Sequence, residues 1–199
     1  MTVRAFVGVP LPHAAREWAV RCQDAFVHAD GAWRPEKWVT PENLHVTLRF
    51  LGEVSDGRVA MLRDPLLSAA ATVEPFRARI EGIHAIPQQR GATLLWLGIG
   101  EGAEGFARLA TLCTDIAEAA DPAPVVSAGP RHRYTPHITL CRARSPRRVT
   151  AGSIDAAERV LHRADDRALT MSVRSFTLYQ STLTPRGPRY DALATIPLG

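Results

Sequence analysis

The chain predicts an α+β fold of two pseudo-symmetric lobes facing each other across a central cleft, and three observations predict it. The tetrapeptide His45-Val46-Thr47-Leu48 returns as His137-Ile138-Thr139-Leu140. Each copy stands at the same place in a run of strand, helix, His-bearing strand, helix, strand, and that run occurs twice. Two repeats are too few for a solenoid, so the natural arrangement is a pair of lobes about an approximate two-fold axis. Such an axis brings the two His-bearing strands to opposite sides of one cleft. The 199 residues suffice to bury a core as a single bilobal domain, with repeat units near 1–86 and 93–199.

The elements follow in order. Residues 3–9 form an apolar strand ended by Pro10 and Pro12, and their single Arg and short apolar run read as a strand rather than a signal peptide. Ala14, Trp18, Cys22 and Phe26 recur at helical spacing over 13–28. Residues 38–51 are the first His-bearing strand, ended at Gly52, and 55–71 a second helix. A strand over 76–86, a turn at Gln88-Gln89-Arg90-Gly91 and a return over 93–99 make an antiparallel pair. In the second run, Phe106, Leu109, Leu112, Cys113 and Ile116 mark one face of a helix over 102–120. A loop rich in Pro and Gly over 121–130 leads to the second His-bearing strand, 134–142. A helix over 151–161 and strands over 169–179 and 190–197 complete the chain.

Composition excludes several classes. At 46% hydrophobic and 22% charged residues the chain is an ordinary globular one, and no stretch reaches the length of a membrane-spanning helix. Cys22, Cys113 and Cys141 are odd in number, with no pair at a redox or metal-binding interval, so free thiols in a reducing, cytoplasmic setting are expected. Cys141 continues the alternation His137, Thr139 but reads as a small buried strand residue. The net charge of +4 favours an anionic partner without demanding a long nucleic-acid groove.

In an extended strand alternate side chains share a face, so each motif offers an imidazole and a hydroxyl together while Val46/Leu48 and Ile138/Leu140 anchor the other face. Two imidazoles suit a reaction near neutral pH in which one proton leaves a nucleophile and another is delivered to a leaving group. A lone His-x-Thr is weak evidence, because a strand histidine is more often structural than catalytic. Two copies, each preceded closely by proline (Pro41, Pro136) and each at the same point of a repeated unit, are evidence of shared chemistry. His13, His28, His84, His132 and His162 lack that context and read as ordinary surface or core residues.

The paired motifs in a duplicated chain resemble the 2H phosphoesterase superfamily, and within it the RNA 2′,3′-cyclic phosphodiesterase, or 2′-5′ RNA ligase-like, family. The segments Arg4-Ala5-Phe6-Val7-Gly8-Val9-Pro10-Leu11-Pro12, Asn43-Leu44-His45 through Leu51-Gly52, Pro136-His137 through Cys141-Arg142 and Leu178-Tyr179 through Arg189-Tyr190 resemble family segments in order. The resemblance implies lobes built as antiparallel sheets with helices on their outer faces. It implies metal-independent hydrolysis of RNA 2′,3′-cyclic phosphate ends to 2′-phosphomonoesters, without a cofactor, by a monomer, together with reversible 2′-5′ ligation. By family correspondence His137 is the proton acceptor, His45 the proton donor, and Thr47 and Thr139 hold the non-bridging phosphate oxygens. Arg142 matches a phosphate-contacting position, although strict alternation points it away from His137 unless a twist, bulge or strand end intervenes. Arg49 falls on the His45 side by alternation, and Trp38, Phe50 and Tyr134 are candidate base-stacking platforms. The cluster Arg131, Arg133, Arg142, Arg144, Arg147 and Arg148 suits phosphate, or is a solvated basic loop.

Three other readings compete. A module that binds RNA ends or nucleotide phosphates without turnover predicts loss of one His or Thr, and all four are present. A metal-dependent hydrolase using His45 and His137 as ligands lacks the further His or carboxylate at ligand spacing. A 2H phosphodiesterase acting on a small cyclic nucleotide shares the same motifs.

Overall fold

The computed structural model describes residues 2–87, 91–120, 134–185 and 187–199. Most of the Gln88-Gln89-Arg90-Gly91 turn, the 121–130 loop, Arg131, His132 and Arg133 lie outside the described residues.

Among the described residues the nine strands are β1 (Thr2–Pro10), β2 (Lys37–Trp38), β3 (His45–Ser55), β4 (Phe76–Ile86), β5 (Ala92–Ile99), β6 (His137–Arg147), β7 (Thr170–Val173), β8 (Ser175–Thr184) and β9 (Gly187–Pro197). The helices are α1 (His13–Ala29), α2 (Asp56–Ala70), α3 (Ala103–Ala120), α4 (Ala151–Arg163) and the short α5 (Asp166–Leu169). The strands run in the order β7-β4-β5-β6-β3-β1-β8-β9, with β2 beside β6. Every pairing is antiparallel. The expected α+β architecture is present as two four-stranded halves, β7-β4-β5-β6 and β3-β1-β8-β9. They join where Val46 of β3 faces Ile138 of β6.

The order strand, helix, His-strand, helix, strand runs twice along the chain, but the halves of the sheet are not the halves of the sequence. The strand that closes the first run, β4, is built beside β5, and the last strands, β8 and β9, complete the half begun by β1 and β3. The span 169–179, expected as one strand, is broken at Arg174: β7 edges one half and β8 lies inside the other. The span 38–51 is also divided, because Pro41 opens a 3₁₀ turn over Pro41–Asn43 before β3 begins at His45. Gly52 does not end β3. Its φ of +74° carries the strand through a bulge opposite Ala5 and Phe6, a conformation glycine adopts without a Cβ penalty.

One face of the sheet is covered by helices. Ala15, Ala19, Cys22 and Phe26 of α1 recur at helical spacing and are buried, and α1 packs on α4 through contacts such as Cys22 Sγ to the Ala157 carbonyl at 3.7 Å. Helices α2 and α3 pack together over β3. Ser55 caps α2 by accepting from the Arg58 amide, and Thr150 caps α4 by accepting from the Ser153 amide. The three thiols are free and buried, and burial pushes each up to about 12. Cys141 is a core residue, as expected. No helix is long and apolar enough to cross a membrane among the described residues.

Candidate active site

The open face of the sheet carries both motifs. Val46 and Ile138 are fully buried on the helix side, so His45, Thr47, His137 and Thr139 all stand on the other face. Antiparallel register about the Val46–Ile138 pair sets His45 across from Thr139 and Thr47 across from His137. The sheet itself therefore gathers two imidazoles and two hydroxyls.

The imidazoles are oriented alike. His45 Nδ1 lies 2.6 Å from the Asn43 carbonyl oxygen and His137 Nδ1 lies 2.9 Å from that of Thr135. A carbonyl oxygen only accepts, so each Nδ1 carries the hydrogen and each neutral ring has its lone pair on Nε2. His45 Nε2 is 2.9 Å from the Thr47 hydroxyl. The turn before His45 is held in place by Asn43 Nδ2, which donates to the Pro188 carbonyl at 2.7 Å. Tyr134 clamps the halves together, its hydroxyl donating to the Thr47 carbonyl at 2.8 Å. It is a brace rather than a stacking platform. Trp38 is also structural: its indole donates to the Trp33 carbonyl at 2.9 Å and its ring packs on Phe26.

Bulges decide what stands beyond each motif. In β6 the pairing passes from Thr139–Trp96 to Cys141–Leu95, leaving Leu140 as an extra residue. Leu140 and Cys141 are consequently both buried, and Arg142 emerges on the same face as His137. The bulge resolves the conflict with strict alternation. Leu48 is the matching extra residue in β3, with the opposite consequence for Arg49. Arg49 turns to the helix side, where its guanidinium lies 3.8 Å from Glu118 of α3, so the expectation that it shares the His45 face is corrected. Phe50 takes the cleft position instead, 57% exposed.

The result is a cleft of about 610 Å³ lined by His45, Thr47, Thr139 and Arg142, among others. Arg4, Lys37, Asn43, Ser181 and Tyr190 also line it, and none was legible as a site residue in the sequence. Lys37, the only lysine of the chain, is brought in because β2 pairs it with Arg142. The lining holds three cationic side chains and no carboxylate, which makes it a place for an anion. Phe6 and Tyr190 pack on His45 at 4.9 and 5.4 Å between ring centroids. Burial first, then repulsion from His137 and Arg142, holds the His45 pKa below the ordinary value of 6.5, against the opposing pull of the Asn43 carbonyl. Among the described residues no three His, Cys, Asp or Glu side chains converge as a metal site would require.

The arginine cluster is divided. Arg147 is ion-paired with the buried carboxylate of Glu36, which also accepts from the Arg144 amide at 2.6 Å. These bonds, led by the Arg144 amide, keep the Glu36 carboxyl below the usual carboxylate range. Arg147 thus serves as an internal strap rather than a free cation.

The sequence matches the profile of the 2′-5′ RNA ligase superfamily over residues 12–184. The chain belongs to that superfamily. It is 32% identical over 191 residues, 96% of each chain, to the RNA 2′,3′-cyclic phosphodiesterase of Methanothermobacter thermautotrophicus. A crystal structure of a Thermus thermophilus protein superposes with a TM-score of 0.78 at 30% identity, covering 98% of this chain and 97% of the other. E. coli LigT in its apo form gives 0.72 at 25% identity, over 99% and 98%. The superfamily fold accounts for both halves of the sheet and for the helices behind them.

Proposed function

We propose that this protein hydrolyses RNA 2′,3′-cyclic phosphate ends to 2′-phosphomonoesters by metal-independent acid and base catalysis. The observation that carries the reading is the antiparallel juxtaposition of the two His-x-Thr motifs on the open face of the sheet at a cationic cleft, with each Nδ1 tied to a carbonyl so that each Nε2 carries the lone pair, that of His45 resting against the Thr47 hydroxyl. The activity named for the relatives, RNA 2′,3′-cyclic phosphodiesterase, agrees with it.

In this mechanism His137 Nε2 accepts the proton of a water attacking phosphorus, while His45, protonated, delivers its proton to the departing 3′ oxygen. Thr47 and Thr139 donate to the non-bridging oxygens, and Arg142 supplies charge where negative charge grows. Burial by itself disfavours the His45 imidazolium. A bound phosphodiester carries the negative charge that offsets this, so protonation of the acid is coupled to arrival of the substrate. With a 5′ hydroxyl replacing water, the same steps join RNA ends through a 2′-5′ linkage, and their reversal cleaves it.

The test is incubation of an oligoribonucleotide ending in 2′,3′-cyclic phosphate with the protein in the presence of chelator. A 2′-phosphate end is the expected product. A 3′-phosphate would exchange the leaving oxygen, and an unchanged end or full dependence on added metal would refute the proposal.

A further inference from the structure

The halves of the sheet carry matched registers, and the match reveals one difference. Gly8 stands opposite Thr47 and pairs on its other side with Thr177. The corresponding positions of the second half are Trp96, opposite Thr139, and His84. In the first half that place is taken by His45 itself, whose Cδ2 lies 3.1 Å from where a Gly8 Cβ would be, and Thr177 is buried. In the second half it holds two rings. Trp96 meets His137 nearly edge-on at 5.3 Å, and His84 lies against Trp96 at 4.5 Å with the planes 30° apart.

Among the described residues the His84 ring is exposed, while Trp96 is half-buried beneath it with its indole nitrogen enclosed. Strand β9 flanks β8 along its whole length, whereas β7 flanks β4 only over Phe76–Arg79. Among the described residues no outer strand runs beside His84 and Ile86, which are both exposed on the open face of the sheet. The flat ring of His84, backed by Trp96, thus lies open on the His137 side of the reacting phosphorus.

In-line displacement brings the nucleophile in opposite the leaving oxygen. With the 3′ oxygen departing toward His45, the nucleoside bearing the cyclic phosphate belongs to the wall of Phe50 and Tyr190, and the nucleophile enters over the second half. Water needs no platform there, but a nucleoside 5′ hydroxyl arrives with a flat base attached. Resting on the function proposed above, we infer that His84, Trp96 and Ile86 form a stacking subsite for the nucleoside that supplies the 5′ hydroxyl in 2′-5′ joining and departs in the reverse reaction. The hydroxyl passes its proton to His137 Nε2, its oxygen bonds to phosphorus, the bond from phosphorus to O3′ breaks, and O3′ takes the proton of His45. No further reactant is needed.

Two substrates separate this inference from the function beneath it. Adenosine 2′,3′-cyclic phosphate has no second nucleoside, whereas 2′-5′-linked adenylyl-adenosine must seat one to be cleaved. The His84→Ala variant is expected to raise KM for the dinucleotide about tenfold more than it raises KM for the cyclic mononucleotide, since base stacking on one side chain is typically worth that order. His84→Phe, which keeps a flat ring, restores the dinucleotide KM. Equal changes for both substrates, or no change for either, would overturn the subsite. So would wild-type protein that opens the cyclic phosphate but leaves the dinucleotide intact. Failure of the wild type on both substrates would remove the underlying function as well.

Discussion

Burial separates the two histidines. His45 is enclosed by Phe6 and Tyr190, and its imidazolium is disfavoured by that enclosure and by the neighbouring cations. Its folded-state pKa lies below the unfolded value, so the unfolded chain binds more protons, and stability is lost as pH falls through 6.5 toward the depressed value. Urea unfolding between about pH 7.5 and 5, a window spanning the ordinary histidine range, is expected to show this loss in wild type and a smaller one in His45→Ala. Proton uptake on binding is the functional counterpart. A 2′-phosphomononucleotide should bind more tightly as pH drops through the histidine range, and titration calorimetry in buffers of different ionisation enthalpy measures the proton taken up. For turnover, His45→Ala and His137→Ala should each reduce kcat by about 10²- to 10⁴-fold, with Thr47→Val and Thr139→Val milder. The kcat/KM profile should be bell-shaped, its two pKa values belonging to the pair. Wild-type-like rates in either alanine variant would remove the acid and base roles.

Bulges and glycines do at the level of strands what the motifs do at the level of side chains. The helix expected over 13–28 is found at His13–Ala29 and the strand over 76–86 at Phe76–Ile86, because periodicity and turn residues are local information. Leu48 and Leu140 give no such sign of becoming unpaired, since a bulge depends on the partner strand. The positions of Arg49 and Arg142 were therefore beyond strict alternation, and His84, classed as an ordinary residue, lies exposed on the open face of the sheet that carries Thr139. The partners of β4, β8 and β9 depend on chain crossings that no window of sequence contains. Gly98, which pairs with His137, illustrates how tightly these strands lie: a Cβ there would stand 2.6 Å from the Glu81 carbonyl oxygen. Gly98→Ala should push β4 from β5, lowering both the melting temperature and the rate of cyclic phosphate opening. Glu36→Ala strips Arg144 and Arg147 of their shared acceptor and should cost about 2–3 kcal/mol in denaturant unfolding.

At the scale of the whole molecule, charge is concentrated at the cleft in Arg4, Lys37 and Arg142, while Arg147 is engaged with Glu36. A site built for one phosphate and its ribose gains little from a long RNA body. A short oligonucleotide and a long RNA with the same cyclic end should share one kcat, and any KM advantage of the longer should shrink as salt rises. Lys37→Gln should reduce the salt slope of KM by roughly the 0.7 that one single-strand phosphate contact contributes. Arg147→Gln should leave the slope near its wild-type value. A length advantage surviving high salt would reveal recognition of RNA shape or sequence outside this cleft.

The crossed assignment of strands bears on the order in which the protein comes into being. On the ribosome β1 and β3 emerge early, yet β8 and β9, which complete their half, are the last of the described strands to be made. The half bearing His137 has its four strands by Val173, whereas the half bearing His45 stays open along β1 until β8 and β9 leave the exit tunnel. A nascent chain can thus assemble the side that bears His137 before the side that bears His45, and the complete cleft, with Pro188 and Tyr190 in its lining, appears only once β9 has been made.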